Sequence, residues 1–314
     1  MDTSTLLGYL LFGDFGILTM TPTYLFGLLF PLITVFYFFI ACLEESRLFY
    51  RIANRCDKPL LKIGLSGHSL IPMLMGFGCV TVALASLSLL ESKRERLIAS
   101  VLLCVIVPCS AQTAIIVALA FLLPPGCFFV YVVMIFLTFL ALSLLLNTIL
   151  PRELILNQKF REVPLRKPPF KKILQQSVKS GITFVAETAF PFVVGSIIIS
   201  FLSYMNCFSA LSVWLAPFTE GFLRLPKEAS NLFILSIIKR DLGVAGLLSV
   251  IQSGSFTDEQ LAVCLTIMTL FVPCFASVII LFKQEKPPAA ILVWLGSFVI
   301  AMAVGKLASL LILS

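Results

Sequence analysis

The chain has 314 residues, 59% hydrophobic and 12% charged, against roughly a quarter charged in ordinary soluble domains. That balance excludes a water-soluble fold of this length, whose surface needs far more polar side chains. The net charge of +7 gathers in a few loops, a pattern that orients a membrane protein and does not mark a nucleic-acid binder.

In chain order, residues 1–20 lack a basic start and a small-residue cleavage site and carry Asp2 and Asp14. They therefore do not read as a cleavable signal peptide, and residues 5–20 are too short and glycine-interrupted to assign as a span. The run 23–43 carries no charge and is long enough to cross a bilayer core as an α-helix. Residues 47–62 are amphipathic and suit the interface. Segment 69–90 is apolar but broken by Gly76-Phe77-Gly78, where glycine suits a sharp reversal. Segment 97–123 carries Pro108 inside it, and 126–150 is uncharged throughout. Basic, proline-punctuated residues around 160–173 form a connector. Beyond it lie apolar segments 181–205, 230–250, 259–282 and 288–312, with 208–224 amphipathic. Segment 230–250 is broken at Lys239-Arg240-Asp241-Leu242-Gly243, and 259–282 at Pro273. No barrel-like alternation occurs, so the spans satisfy their backbone groups as helices.

The breaks recur. Val107-Pro108-Cys109-Ser110-Ala111 matches Val272-Pro273-Cys274-Phe275-Ala276, and the same offset places Gly78 on Gly243 and Cys42 on Cys207. An internal duplication follows. Taking 69–90 and 230–250 as re-entrant hairpins puts loops 44–63, 91–96, 151–180 and 283–287 on one face, with 5, 3, 8 and 2 Lys or Arg. The opposite face then holds only Arg224 and Lys227 with the acidic linker 251–258. The positive loops are assigned to the cytoplasm. Three full crossings between the repeats make them inverted, as in secondary transporters. The expected fold is an all-α polytopic membrane bundle of two inverted repeats, each pairing a re-entrant hairpin with a proline-broken helix. Residues 1–150 form the first repeat, 151–180 the basic linker and 181–314 the second.

Nine cysteines, most inside apolar runs, do not form a disulfide framework. Cys109 and Cys274 follow the prolines, and Cys79 follows the hairpin glycines. Three thiols at three backbone breaks suit a borderline or soft metal ion, the alternative being small hydrophobes in close helix contacts. Gly76, Gly78, Ser110, Gln112 and Ser277 flank the same breaks and join the candidate path. Charges inside spans are functional candidates by default, which singles out Glu187 and Asp241. Lys239, Arg240 and Gly243 are read as hairpin-tip structure, Lys306 as a snorkelling side chain and His68 as interfacial. With one histidine, no phosphate-binding loop and no hydrolase motif, the chain is not expected to be an enzyme.

These motifs carry a family resemblance. LEESRLFYRIANRCDKPLLKIGLSGHSLIPMLMGFGC (43–79) and ESKRERLIASVLLCVIVPCSAQ (91–112) resemble the first gate of FeoB-type ferrous iron transporters. VPLRKPPFKKIL and FVAETAFPFVVGS resemble that family's linker and following helix, and GFLRLPKEA, KRDLGVAGL and LFVPCFAS its second gate. The likeness covers nearly the whole chain, from Phe12-Gly13-Asp14 onward. It implies Fe²⁺ uptake across the bacterial plasma membrane, with gate cysteines at Cys79, Cys109 and Cys274. It implies Fe²⁺ as transported substrate and not as a resident cofactor. The family's G-protein domain is not in this sequence, so the chain resembles a stand-alone membrane domain whose GTPase partner would be separately encoded. Self-association is a further expectation, beside the lipid bilayer itself. The chain departs from the family at Val80, where an aspartate follows the gate cysteine, and at Ser88, an arginine position. An ion pair removed whole keeps the scaffold but changes the ligands on offer. Two other readings stay open, a carrier of a neutral organic solute such as a nucleoside, and a non-transporting interaction or regulatory paralogue.

Overall fold

The structure is a computed structural model that describes residues 22, 26–27, 30–90, 92–150, 169–205, 217, 219–226, 228–238, 246–247, 251, 256–270 and 274–312. Among these residues there is helix and no strand. Among the described residues two helices are long and apolar enough to cross a membrane, Pro125–Ile149 and Pro287–Ile312, or three if the bent pair Arg51–Lys62 and Gly67–Gly78 counts as one broken span. The chain is an integral membrane protein of the helical kind. It divides into two compact units, each drawing on both sides of the central linker: residues 1–61, 66–70 and 156–207 in one, and 62–65, 71–155 and 208–314 in the other.

In the first unit, helix α1 (Phe30–Glu45) stops where Arg47 takes the left-handed conformation at φ 60, a position where a side chain is tolerated at a cost of about 1 kcal/mol. Helix α2 (Leu48–Lys62) follows directly and carries the amphipathic stretch expected there. Its Asp57 Oδ1 accepts a 2.8 Å hydrogen bond from the Gly67 N–H, and a Cβ on Gly67 would come within 2.7 Å of the Ala53 carbonyl oxygen. The long helix of this unit, Phe170–Tyr204, packs on α1. Gly181 is the close point, since a Cβ there would meet Thr34 Oγ1 at 2.6 Å. Phe38 and Phe170 add a ring contact at 6.5 Å. The helix begins at Phe170, well before the expected segment 181–205. The Ile173 N–H donates to the Pro169 carbonyl, and the lysines and glutamines that follow are good helix formers.

In the second unit the apolar segments resolve into shorter helices: α3 (Leu70–Gly78), α4 (Val80–Ser86), α5 (Lys93–Val105), α6 (Ser110–Leu122), α7 (Pro125–Ile149), and, after the first unit's α8 (Phe170–Tyr204), α9 (Glu228–Ile238), α10 (Asp258–Leu270), α11 (Phe275–Gln284) and α12 (Pro287–Ile312). The core is α5 and α10. Every residue from Ile98 to Val105 and from Leu261 to Leu270 is buried. Helix α7 packs on α5 and α10, and α12 packs on α5, α7, α10 and α11. On α7 and α12, Phe129, Phe136, Leu137, Leu292 and Val299 are exposed. Apolar side chains turned outward on spanning helices are a lipid-facing surface.

Tight approach sets several positions. Gly305 of α12 lies against Ile267 of α10, and a Cβ there would overlap that side chain. Its neighbour Lys306, expected to reach the interface, donates to the Phe222 carbonyl at 2.6 Å and lies over the Phe222 ring. At the start of the unit, Gly64 (φ +83) turns the chain beside Asn147. Asn147 Nδ2 donates to the Lys62 carbonyl at 2.9 Å, closing the end of α2, and accepts from Arg94 Nη2 on its side-chain oxygen.

Candidate functional site

Three cysteines named from the sequence occupy one structural role. Cys79 is the N-cap of α4 (φ −150, ψ 117), Cys109 of α6 (φ −73, ψ 170) and Cys274 of α11 (φ −59, ψ 157). Ser, Thr, Asn and Asp are the side chains that cap helices well, so cysteine at all three starts is a poor choice for helix stability alone. All three belong to the second unit. Cys79 and Cys274 open helices that pack on one another, α4 and α11.

Each break has an identifiable cause. Between α3 and α4 one extended residue, Cys79, interrupts the helix, while its N–H still donates to the Met75 carbonyl and its own carbonyl accepts from Ala83. Gly76 and Gly78 do not supply the reversal through left-handed backbone, since Gly64 is the glycine with positive φ among the described residues. Gly76 instead allows α3 to lie against α5, where a Cβ would come within 2.5 Å of Leu103 Cδ2 and 2.9 Å of Val107 Cγ1. Between α5 and α6, residues 107–109 are non-helical around Pro108, as a missing N–H and a ring clash require. Pro273 lies outside the described residues, and Cys274 opens α11 immediately after it.

The breaks are tied across the unit by buried polar groups. Gln112, 1% exposed, accepts from the Cys109 N–H at 3.3 Å and donates through Nε2 to the Met268 carbonyl of α10 at 3.2 Å. Ser277 Oγ lies 3.1 Å from Cys274 Sγ and 3.0 Å from Thr81 Oγ1 of α4. Thr81 Oγ1 is also 3.7 Å from Cys274 Sγ. Tyr131 of α7 and Thr269 of α10 share a further buried contact at 3.2 Å. Gln112 and Ser277 were named from the sequence, whereas Thr81 was not. Its signal was present in the order Cys79-Val80-Thr81, a hydroxyl two residues past a gate thiol.

The remaining candidates are placed as follows. Ser110 is the first residue of α6 and partly exposed, and Gly78 ends α3 in a buried position. Glu187 lies on α8, in the first unit, as His68 does. Lys239, Arg240, Asp241 and Gly243 lie outside the described residues. Val80 is buried at 4% exposure and Ser88 donates to the Ala85 carbonyl on the exposed side. Among the described residues no three His, Cys, Asp or Glu side chains converge tightly enough to hold a metal ion together.

Comparison with known proteins gives the arrangement a family. The Gate family model, described as nucleoside recognition, matches residues 26–121 and 186–288. A Fe(2+) transporter FeoB of Staphylococcus aureus (strain COL) is 29% identical over 292 residues, covering 81% of this chain and 42% of that protein. A Fe(2+) transport protein A/Fe(2+) transporter FeoB fusion protein of Porphyromonas gingivalis is 31% identical over 212 residues, 63% of this chain and 24% of its own length. A Fe(2+) transporter FeoB of Legionella pneumophila (strain Lens) is 39% identical over 85 residues, 27% of this chain and 11% of that one. The chain thus spans less than half the length of these relatives, and no solved structure matches it. Both halves of the broken-helix pattern fall inside the matched model, and the chain belongs to the Gate family, as a membrane domain of the FeoB type.

Proposed function

We propose that this protein moves ferrous iron across the bacterial plasma membrane into the cytoplasm, through the unit that carries Cys79, Cys109 and Cys274. The observation that carries this reading is the use of cysteine as N-cap at three helix starts of one unit. Thiolates favour borderline and soft ions over Mg²⁺ or Ca²⁺. Helix breaks offer free backbone carbonyls that can replace part of an ion's water shell. The ion would pass between successive thiols and carbonyls with no closed cage, which suits a substrate that must leave again. Curated relatives that this chain resembles in sequence are named Fe(2+) transporters. The recurrence of the first proline break at the second supports two inverted repeats, and the basic loops 44–63, 91–96, 151–180 and 283–287 support a cytoplasmic face for those ends. A GTPase supplied by another polypeptide is the proposed regulator, and a small accessory protein is a second partner, since one relative is a fusion with a protein named Fe(2+) transport protein A.

Reconstituted protein should take up Fe²⁺ into proteoliposomes, and Cys274→Ser should lower the initial rate by about tenfold or more. Vesicles that carry no Fe²⁺, with Cys274→Ser indistinguishable from wild type, would remove the reading. A second reading has its own support. The family description is nucleoside recognition, and Val80 leaves the first gate without a carboxylate. A nucleoside that stabilises the purified protein against heat, with no divalent ion doing so, would favour a neutral-solute carrier.

A further inference from the structure

Four threonines of the second unit, Thr113, Thr138, Thr266 and Thr269, donate their hydroxyls to the carbonyl four residues earlier, the usual way to satisfy such a group inside a helix. Thr81 behaves differently. Its hydroxyl lies 3.0 Å from Ser277 Oγ and 3.7 Å from Cys274 Sγ, and Cys79 stands two residues before it as the N-cap of the same helix. Thr81 is 3% exposed and Ser277 is fully buried. A buried hydroxyl with no partner is costly, so the two hydroxyls fix one another and both border the Cys274 sulfur.

The helices carrying these groups come from opposite halves of the sequence. Helix α4 packs on α11, and their far ends are joined by Gln284 Nε2 donating to the Ala85 carbonyl at 3.0 Å. The two helices therefore run side by side in the same direction, tied at their starts by hydroxyls and at their ends by an amide. A cysteine side chain alone has three χ1 wells and no planar head to orient it. Hydrogen bonds from a neighbouring shell are what normally aim such a ligand, and their loss typically costs about 10–100-fold in metal affinity.

We propose that Thr81 is a positioning residue for the gate thiols: with Ser277 it holds the Cys274 sulfur toward Cys79, so that ion capture at Cys274 depends on contact between α4 and α11. This rests on the ferrous-iron reading and adds a specific residue to it. Val80 removes the carboxylate from this helix start, and the neutral hydroxyl of Thr81 is the polar group that stands beside the thiols there.

Co²⁺ titration of the full chain in detergent, read by thiolate-to-cobalt charge-transfer absorption, tests it. Wild type should give the band. Thr81→Val, which keeps the side-chain shape, should weaken apparent Co²⁺ affinity about tenfold with the amplitude at saturation preserved. Thr81→Ser should restore near-wild-type affinity, and Cys274→Ser should lower the amplitude itself. Thr81→Val titrating as wild type, or Thr81→Ser failing alongside it, would overturn the proposal. Should Thr81→Val not fold, Ser277→Ala takes its place, and unchanged affinity there overturns it equally. A band lost in Cys274→Ser but untouched by the Thr81 variants sinks this inference alone, whereas no band in wild type sinks the ion reading with it.

Discussion

The two proline breaks of the second unit are built from the same local sequence yet reach outward differently. Each has a cysteine N-cap and a buried polar residue three positions later, Gln112 after Cys109 and Ser277 after Cys274. Gln112 spends both ends of its amide on backbone, the Cys109 N–H and the Met268 carbonyl. Ser277 instead meets side chains, the Cys274 sulfur and the Thr81 hydroxyl. A long amide at the first break closes the orphan groups of two helix ends, as helix termini demand. A short hydroxyl at the second borders a thiol and reaches a hydroxyl on another helix. The first break is therefore the more structural and the second the more chemical.

That contrast can be broken experimentally. Gln112→Leu should be the most damaging, costing about 2 kcal/mol because two backbone groups lose their partner at once, seen as a lower thermal midpoint in detergent. A loss no greater than that of Ser277→Ala would erase the distinction between the breaks. Gly76→Ala should cost about 1–2 kcal/mol through overlap with Leu103 and Val107, and a stabilised variant would show that α3 and α5 are free to separate. Ser277→Ala should cost only about 0.5–1 kcal/mol in stability while lowering Fe²⁺ uptake, the split expected if its work is chemical. The smallest effect is one of pH. Glu285, between α11 and α12, has its carboxyl raised above the ordinary range by burial, with Arg96 opposing the rise, and its Oε1 accepts no hydrogen bond. The folded state holds that proton more tightly than the unfolded one. Stability from this site is greatest in acid and declines as pH climbs from the ordinary carboxylate range through the raised value. Glu285→Gln should flatten that decline in thermal midpoint against pH, and parallel profiles would count against it.

Much of the candidate site was legible because breaks leave marks in an apolar sequence. Proline at position 108 and cysteine at 109 announced the interruption, and its repetition at 273 and 274 announced a second. Gly76 has a use beyond the reversal that glycine suggests there: without a Cβ it lets α3 approach Leu103 of α5. Both needs select the same residue, so the sequence does not separate them. The start of α8 at Phe170 was hidden because hydropathy marks the part of a helix inside the membrane, while the backbone continues wherever good helix formers follow.

By itself the sequence determined that this is a helical membrane protein, since an apolar chain in lipid has no other way to satisfy its backbone here. It also located the interruptions, because proline cannot donate an N–H wherever it sits. Only the tertiary structure decided which side chains meet. Thr81 and Ser277 are separated by 196 residues, and no periodicity or local propensity brings them together. Their contact follows from α4 packing on α11, a non-local choice made by the shape of both helices, and it sets two hydroxyls beside the Cys274 sulfur.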